Sequence, residues 1–163
     1  MARHRPGACR IRADPGRTAA RCVTLAGVPR PEYYGNPAGL TQDIDVVRAI
    51  YAAFAVRDIE GALDFVAPRC EIHVENTARA AGRQGPYVGH QGLRDYFADV
   101  EAVWHELEIH AEDYRVVPGS VIVMGHVEGH GDQGRFRRAC IWTWRLAGGR
   151  AVHVRVADMG DAA

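Results

Sequence analysis

Asp158 is the residue of this 163-residue chain whose sequence pattern best suits acid/base chemistry. It ends an alternating run in which Val152, Val154 and Val156 share its strand face. Because these valines are apolar, we expect them to face a core and Asp158 to lie at the mouth of a cavity. Apolar surroundings disfavour the ionised carboxylate and raise its pKa, which suits a general base that removes a proton beside a carbonyl group. The alternative interpretation is a strand-end aspartate in solvent.

A second pattern places three metal-binding side chain types, His126, Glu128 and His130, at alternate positions on one face of a predicted strand. Such a set would hold zinc or iron if the preceding strand supplied a further ligand. The candidates there are Glu106, Glu108 and His110. We favour a polar outer face of the sheet, because alternating valines occupy the opposite face. The sequence therefore predicts no metal and no cofactor.

Aromatic residues of the penultimate strand suit a ligand pocket. Trp142 and Trp144 share one strand face and can form an aromatic wall for a flat, apolar molecule. Ordinary core packing is the alternative. Further ligand contacts are expected from apolar residues on the helices and first strand and from two polar residues at the cavity mouth: Ile50, Phe54, Val74, Asn76, Tyr87 and Phe97.

The elements that position these residues follow from periodicity. Apolar residues at helical spacing predict a first helix from Thr41 or Asp43, and Asp58 is a cap for a second, short one. A glycine-punctuated segment leads into a third helix over about 89–104, after a loop over 77–88. Alternating residues predict five strands, over 70–76, 105–117, 121–130, 135–146 and 150–159.

Helices near the start of the domain and strands near its end predict an α+β fold. We expect three helices packed on one face of a curved, mostly antiparallel sheet, as in a cone-shaped α+β barrel with an internal cavity. Residues 1–42 contain seven arginines and five prolines and show no apolar periodicity. They are therefore predicted to be a disordered basic leader. The domain is placed at 43–159, and 160–163 form a tail.

Composition excludes several classes of function. The 20 basic and 20 acidic residues balance, which argues against nucleic-acid binding through a general basic field. Every basic residue is arginine, so lysine Schiff-base chemistry is excluded. No apolar run reaches the roughly 18 residues that a membrane span needs. The four cysteines form no CxxC pair and are interpreted as reduced thiols of a cytoplasmic protein.

The order of elements and several motifs resemble the nuclear transport factor 2-like superfamily, and within it the SnoaL-like branch. The motifs are GPYVGHQGL at 85–93, VVRAIYAAF at 46–54, DIEGAL at 58–63 and WTWRLAGGR at 142–150. The resemblance covers about 43–159. This superfamily includes isomerases, dehydratases, epoxide hydrolases, polyketide cyclases and non-catalytic binders, so fold alone does not give function. The resemblance also implies a homodimer that pairs through the sheet.

The resemblance can be tested at single positions. Ile50, Val74 and Trp142 match the oxyanion tyrosine, the base and the second oxyanion donor of ketosteroid isomerases, so that mechanism is not expected. SnoaL-like cyclases use an acidic residue in a role that Asp158 would fill. We therefore expect a small-molecule pocket protein that acts by cofactor-independent acid/base catalysis, as a cyclase or isomerase, on an apolar ketone-bearing substrate. The alternatives are a non-catalytic protein that binds an apolar ligand, or an interaction protein that uses its sheet surface.

Overall fold

The structure, a computed structural model, describes residues 37–161, so most of the predicted leader lies outside the described residues. Four helices are described: α1 Pro37–Ala55, α2 Ile59–Leu63, α3 Glu75–Ala80 and α4 Gly89–Val103. Six strands accompany them: β1 Val66–His73, β2 Tyr87–Val88, β3 Glu106–Val117, β4 Ser120–Gly131, β5 Gly134–Ala147 and β6 Arg150–Asp161. None of these helices is long and apolar enough to cross a membrane.

Local sequence explains where the helices begin. Proline is favoured at the first position of a helix, and α1 begins at Pro37, six residues before the predicted domain start. The Asp58 carboxylate accepts a 2.9 Å hydrogen bond from the backbone N–H of Gly61, which confirms the predicted cap of α2. Helix α4 begins at Gly89, where φ is 71° and a Cβ would overlap the carbonyl oxygen of Pro68. Glycine is therefore required at this junction.

The six strands form one mixed sheet with the order β2-β1-β6-β5-β4-β3. Strands β3 to β6 pair as successive antiparallel neighbours, whereas β1 pairs with β6 in parallel. The β1–β6 register shifts between Val66 and Glu71. Pro68, which has no N–H to donate to a sheet, lies within this irregular stretch. The predicted α+β class with helices on a curved sheet is confirmed.

Helix α3 was missed by the sequence prediction, which extended the first strand to Asn76 and placed a loop after it. Strand β1 instead ends at His73, and the chain turns directly into α3. Val74, at the N-cap, provides no side-chain cap, so the usual start signal is missing. Tertiary contacts hold the helix instead: Thr77 is buried and accepts a 3.1 Å hydrogen bond from the Trp104 indole N–H.

The core lies between the helices and one face of the sheet. Cross-strand partners form two apolar rows on that face. Val123 pairs with Trp142, and Val121 pairs with Trp144. On the next strand, Val156 and Val154 continue the two rows. The predicted alternation of inward-facing valine and tryptophan residues is confirmed by this register.

Candidate functional site

The β5 and β6 members of the valine and tryptophan rows form one wall of an apolar cavity, and helices α1 and α4 form the opposite wall. Its lining residues are Ile50, Tyr51, Phe54, Val66, Ile72, Val74, Leu93, Tyr96, Phe97, Ile109, Trp142, Trp144, Val154 and Val156. Val74, Ile109 and Val156 are half-buried and mark the open side, whereas the other lining residues are buried. Among the described residues, no carboxylate or imidazole side chain lines the cavity.

The cavity is narrow. Its empty space is about 540 Å³, which includes the part open to solvent. The cavity volume without that open part is about 50 Å³. A ligand with several rings would therefore need side chains at the open side to move.

Two tyrosines, Tyr51 and Tyr96, supply the ionisable groups of the cavity lining. Burial raises the pKa of Tyr51 well above its ordinary value, an effect that the hydrogen bond from Trp144 partly offsets. Burial also raises the pKa of Tyr96, although the charge of Arg57 opposes the shift. Both phenols therefore stay neutral at physiological pH and can donate or accept a hydrogen bond.

Most of the predicted ligand-binding residues come together at this cavity. Six of the eight line it: Ile50, Phe54, Val74, Phe97, Trp142 and Trp144. The other two do not. Tyr87 is buried beside α4, where its hydroxyl donates a 2.9 Å hydrogen bond to Asp99. Asn76 lies on α3 and contacts Asp158 and Arg79 instead.

Asp158 lies beyond the cavity lining, although Val154 and Val156 of its strand face the cavity as predicted. Its carboxylate accepts hydrogen bonds from Arg138 at 2.9 Å, from Asn76 at 3.2 Å and from the backbone N–H of Gly160 at 2.8 Å. Partial burial alone would raise its pKa, but these three donors outweigh burial and lower the pKa. The predicted upward shift is therefore wrong.

The predicted pKa shift was wrong because the alternating pattern of strand residues does not show which donors reach the Asp158 carboxylate. Asn76 is distant in sequence and is brought close by the unpredicted helix α3. Arg138 reaches Asp158 where the β5–β6 register shifts, between Arg138 and Cys140. The structure therefore joins Asn76 and Asp158, two residues predicted to act in one site, in a polar cluster two positions beyond the cavity lining.

Histidine and carboxylate side chains collect on the outer face of the sheet. His126 and Glu128 lie together with His110 of the neighbouring strand, whereas His130 contacts His105. A second group contains Glu71, His73 and His153. The structure thus groups His126 and Glu128 with His110 of the neighbouring strand and not with His130, the third residue of the alternating pattern.

Cysteine chemistry is not favoured. Cys70 and Cys140 are buried and free. Burial raises the pKa of Cys70 to about 12 and that of Cys140 to about 11. Their thiols are therefore protonated at neutral pH and are poor nucleophiles. The other two cysteines, Cys9 and Cys22, lie outside the described residues.

Sequence reasoning missed the tyrosine hydroxyls. Tyr51 was recognised only as part of the apolar stripe of the first helix, and Tyr96 lies one position from Phe97 of the third helical stripe. Helical spacing shows which face of the helix a tyrosine occupies, but it does not show which group its hydroxyl contacts. A tyrosine within an apolar stripe next to two tryptophans is nevertheless a signal for a buried polar group, because tyrosine hydroxyls seek partners when buried.

Four helices against a curved mixed sheet, with an apolar cavity between them, define the nuclear transport factor 2-like class of folds. Within this class the chain belongs to the family of the SnoaL-like domain, whose family model matches residues 47–154. The family predicted from the sequence is confirmed. No curated protein matches the chain significantly.

Solved structures support the same fold. A nuclear transport factor 2-like protein of unknown function from Burkholderia pseudomallei aligns with a TM-score of 0.66 at 22% identity, covering 72% of this chain and 90% of that one. TerC, co-crystallised with polyporic acid, aligns with a TM-score of 0.65 at 26% identity, covering 72% and 91%. A putative polyketide cyclase from Sinorhizobium meliloti aligns with a TM-score of 0.56 at 16% identity, covering 69% and 94%.

Proposed function

We propose that this protein binds a small, flat, largely apolar molecule in the cavity between helices α1 and α4 and the sheet. The observation that carries the proposal is the chemistry of the lining. Among the described residues, aliphatic and aromatic side chains form nearly all of the wall, and tyrosine supplies its ionisable groups. Such walls favour ligands with extensive apolar surface, because burial of that surface drives binding.

The arrangement of aromatic rings favours a planar ligand. The rings of Trp142 and Trp144 meet Tyr51 edge to face, with centroids 6.1 and 5.6 Å apart. Phe54 packs against Phe97 on the helical side at 5.3 Å. Flat rings pack well against such surfaces. That TerC was crystallised with polyporic acid, at 26% identity to this chain, supports an organic small molecule as the ligand.

The polar groups limit the charge of the bound portion. Tyr51 and Tyr96 stay neutral because burial raises their pKa values. A charged ligand group inside the cavity would lose its hydration without gaining a counter-ion. We therefore infer that the buried part of the ligand is neutral and offers a carbonyl or hydroxyl group to a tyrosine hydroxyl.

A neutral single-ring probe tests this proposal. Phenol should bind the purified chain with a stoichiometry of one, as measured by isothermal titration calorimetry. Val156→Phe places a ring at the open side and should weaken binding by about 10-fold or more, because overpacking blocks a narrow site. Val117→Phe is the matched control, since Val117 is an exposed strand valine outside the lining. Equal binding by both variants, or no saturable binding by the native chain, would contradict the proposal.

A second candidate function keeps the acid/base role of Asp158. It is supported by the position of Asp158 two residues beyond Val156 on the strand that forms the cavity wall. An ionised carboxylate at this rim can accept a proton from a ketone whose ring lies in the cavity. Asn76, which donates to the same carboxylate, would orient it.

Proton exchange at carbon separates catalysis from binding. We expect the native chain to accelerate deuterium incorporation beside the carbonyl of 2-tetralone, a flat apolar ketone, in D₂O. Asp158→Asn should reduce the acceleration by roughly 10²-fold or more while leaving probe binding intact. Asp132→Asn, at a strongly exposed carboxylate, is the control. Acceleration that survives in Asp158→Asn would assign the proton transfer to another group, and no acceleration by the native chain would leave the protein as a binder alone.

A further inference from the structure

Two histidines face each other across the outer surface of the β3–β4 pair. His110 and His126 are direct register partners, and their rings stack with centroids 4.5 Å apart and planes 9° from parallel. Their side chains are only 17% and 11% exposed, although they lie on the face opposite the core. Glu128, two positions along the strand from His126, lies beside both rings. Donor atoms of these three residues lie within 4.8 Å of one another.

A bulge gives His126 a second carboxylate partner. The β3–β4 register shifts between Ala111 and Asp113, so Glu112 is the extra residue of its strand. Its Oε1 lies 2.7 Å from Nδ1 of His126. Nδ1–H of His126 therefore donates to Glu112, and Nε2 of the same ring is directed towards Glu128.

This arrangement matches the outer shell of many zinc sites. Histidines that bind metal through one ring nitrogen commonly donate the other N–H to a carboxylate, which fixes the tautomer. Nε2 of His126 lies 3.4 Å from Oε1 of Glu128. A cation between the two atoms, either a proton on Nε2 or a bound metal ion, would hold them at this separation.

We propose that His110, His126 and Glu128 bind a Zn²⁺ ion, with Glu112 as the carboxylate that positions His126. Two ligands on a tetrahedral zinc at about 2.05 Å are about 3.3 Å apart. The corresponding distances are 3.4 Å from Oε1 of Glu128 to Nε2 of His126 and 3.8 Å from its Oε2 to Nε2 of His110. Because the two rings stack nearly parallel, the in-plane lone pairs of their nitrogens do not converge on one point. Binding therefore requires one ring to rotate out of the stack, with water as the fourth ligand.

The local charge also fits a divalent cation. Glu108 lies 3.4 Å from His110, and with Glu112 and Glu128 it brings three carboxylates to the two rings. One guanidinium, that of Arg137, approaches Glu128 at 3.5 Å. With neutral histidines these groups carry a formal charge of −2, which one Zn²⁺ balances. Arg137 and zinc can share Glu128, because a carboxylate accepts several hydrogen bonds and ligands.

Metal binding by the full chain, freed of metal with a chelator, tests the proposal. Equilibrium dialysis against Zn²⁺ alone should give one bound ion per chain. Substituted Co²⁺ should show the intense visible bands of tetrahedral coordination. His110→Asn and His126→Asn should each weaken Zn²⁺ binding on the order of 100-fold, and Glu112→Gln about 10-fold through loss of orientation. His130→Gln removes a histidine from the same face of the same strand and should leave binding unchanged.

Two results would overturn the proposal: native protein without tetrahedral Co²⁺ bands, or Zn²⁺ binding that His110→Asn and His126→Asn leave intact. The second result would assign the ion to another group, such as Glu71, His73 and His153. Thermal unfolding without metal verifies that the variants are folded. Since the Co²⁺ spectrum is measured on the native chain, the test does not depend on any variant being stable.

Discussion

The indole N–H of Trp144 donates a 3.0 Å hydrogen bond to the hydroxyl of Tyr51 at the wall of the apolar cavity. The bond joins strand β5 to helix α1, the two elements that enclose the cavity from opposite sides. Both side chains are buried, at 6% and 2% exposure. The pair therefore links the sheet to the helix and gives the buried indole N–H an acceptor.

Tyr51→Phe should destabilise the fold by about 1–3 kcal/mol, because it leaves the buried indole N–H of Trp144 without its acceptor. Urea unfolding followed by circular dichroism measures the change. Trp144→Phe and the double variant complete a double-mutant cycle. If the two substitutions add without coupling, the hydrogen bond does not stabilise the native state.

Stability should decrease in alkaline solution. The pKa values of Cys70, Cys140, Tyr51 and Tyr96 are all raised, chiefly by burial. The unfolded chain therefore loses these protons at lower pH than the folded chain, and the free energy of unfolding falls as pH rises above about 9. Each unit of pKa difference corresponds to about 1.4 kcal/mol at most for one group.

Urea unfolding at several pH values between 7 and 10.5 measures this dependence. Tyr96→Phe removes one of the buried acids and should make the decrease shallower, whereas a variant at a surface position should not. A free energy of unfolding that stays constant over this range would show that the buried thiols and phenols ionise as easily in the folded chain as in the unfolded one.

Asp99→Asn should weaken the attachment of strand β2 to helix α4. The Asp99 carboxylate pairs with Arg83 and accepts a 2.9 Å hydrogen bond from the Tyr87 hydroxyl. The hydrogen bond from Arg83 lowers the pKa of Asp99 from its ordinary 3.8. Partial burial opposes this shift, and the hydrogen bond from Tyr87 adds to it. We expect a loss of about 1–2 kcal/mol at pH 7.

The pH dependence of this loss has a definite sign. A lowered folded pKa stabilises the protein above the ordinary pKa, and the benefit disappears as pH falls through the folded value. The difference between native chain and Asp99→Asn should therefore shrink below about pH 4. Asp95→Asn, at a more exposed carboxylate that also contacts Arg83, is the control and should have a smaller effect. Equal effects of the two substitutions would contradict a special role for Asp99.

Local sequence predicted the elements whose signals are periodic. Helix α4 was expected over 89–104 and lies at Gly89–Val103. The last four strands differ from their predicted bounds by one or two residues, because Pro118-Gly119 and Gly148-Gly149 mark the turns between them. Six cavity residues followed from the same periodicity, since the inward face of an alternating strand is fixed once its burial is known.

The contacts that the sequence did not predict depend on which residues pair across strands. The His110–His126 contact needs the β3–β4 register, and the Glu112–His126 contact needs a bulge within it. The lowered pKa of Asp158 needs Arg138 from the neighbouring strand and Asn76 from an unpredicted helix. Local periodicity contains no information on such partners. The homodimer and the domain limits inferred from the resemblance stay predictions.

Gly125 permits the close approach of β3 and β4 at the bulge. Its substitution is the most demanding test of the β3–β4 pairing. It is the register partner of Ala111 at the bulge, and a Cβ at this position would overlap the carbonyl oxygen of His110. Because a backbone atom cannot move aside without disturbing the ladder, Gly125→Ala should destabilise the fold by about 2–3 kcal/mol.

Gly129→Ala is the matched control on the same strand. Its Cβ would meet chiefly the far end of the Phe136 ring, which can rotate away, so the loss should be smaller. Urea unfolding of both variants measures the difference, and Gly125→Ala should also lower Zn²⁺ affinity because it displaces His110. Equal stability of the two variants would mean that β3 and β4 do not approach closely at the bulge, and the geometry proposed for the zinc ligands would fail with it.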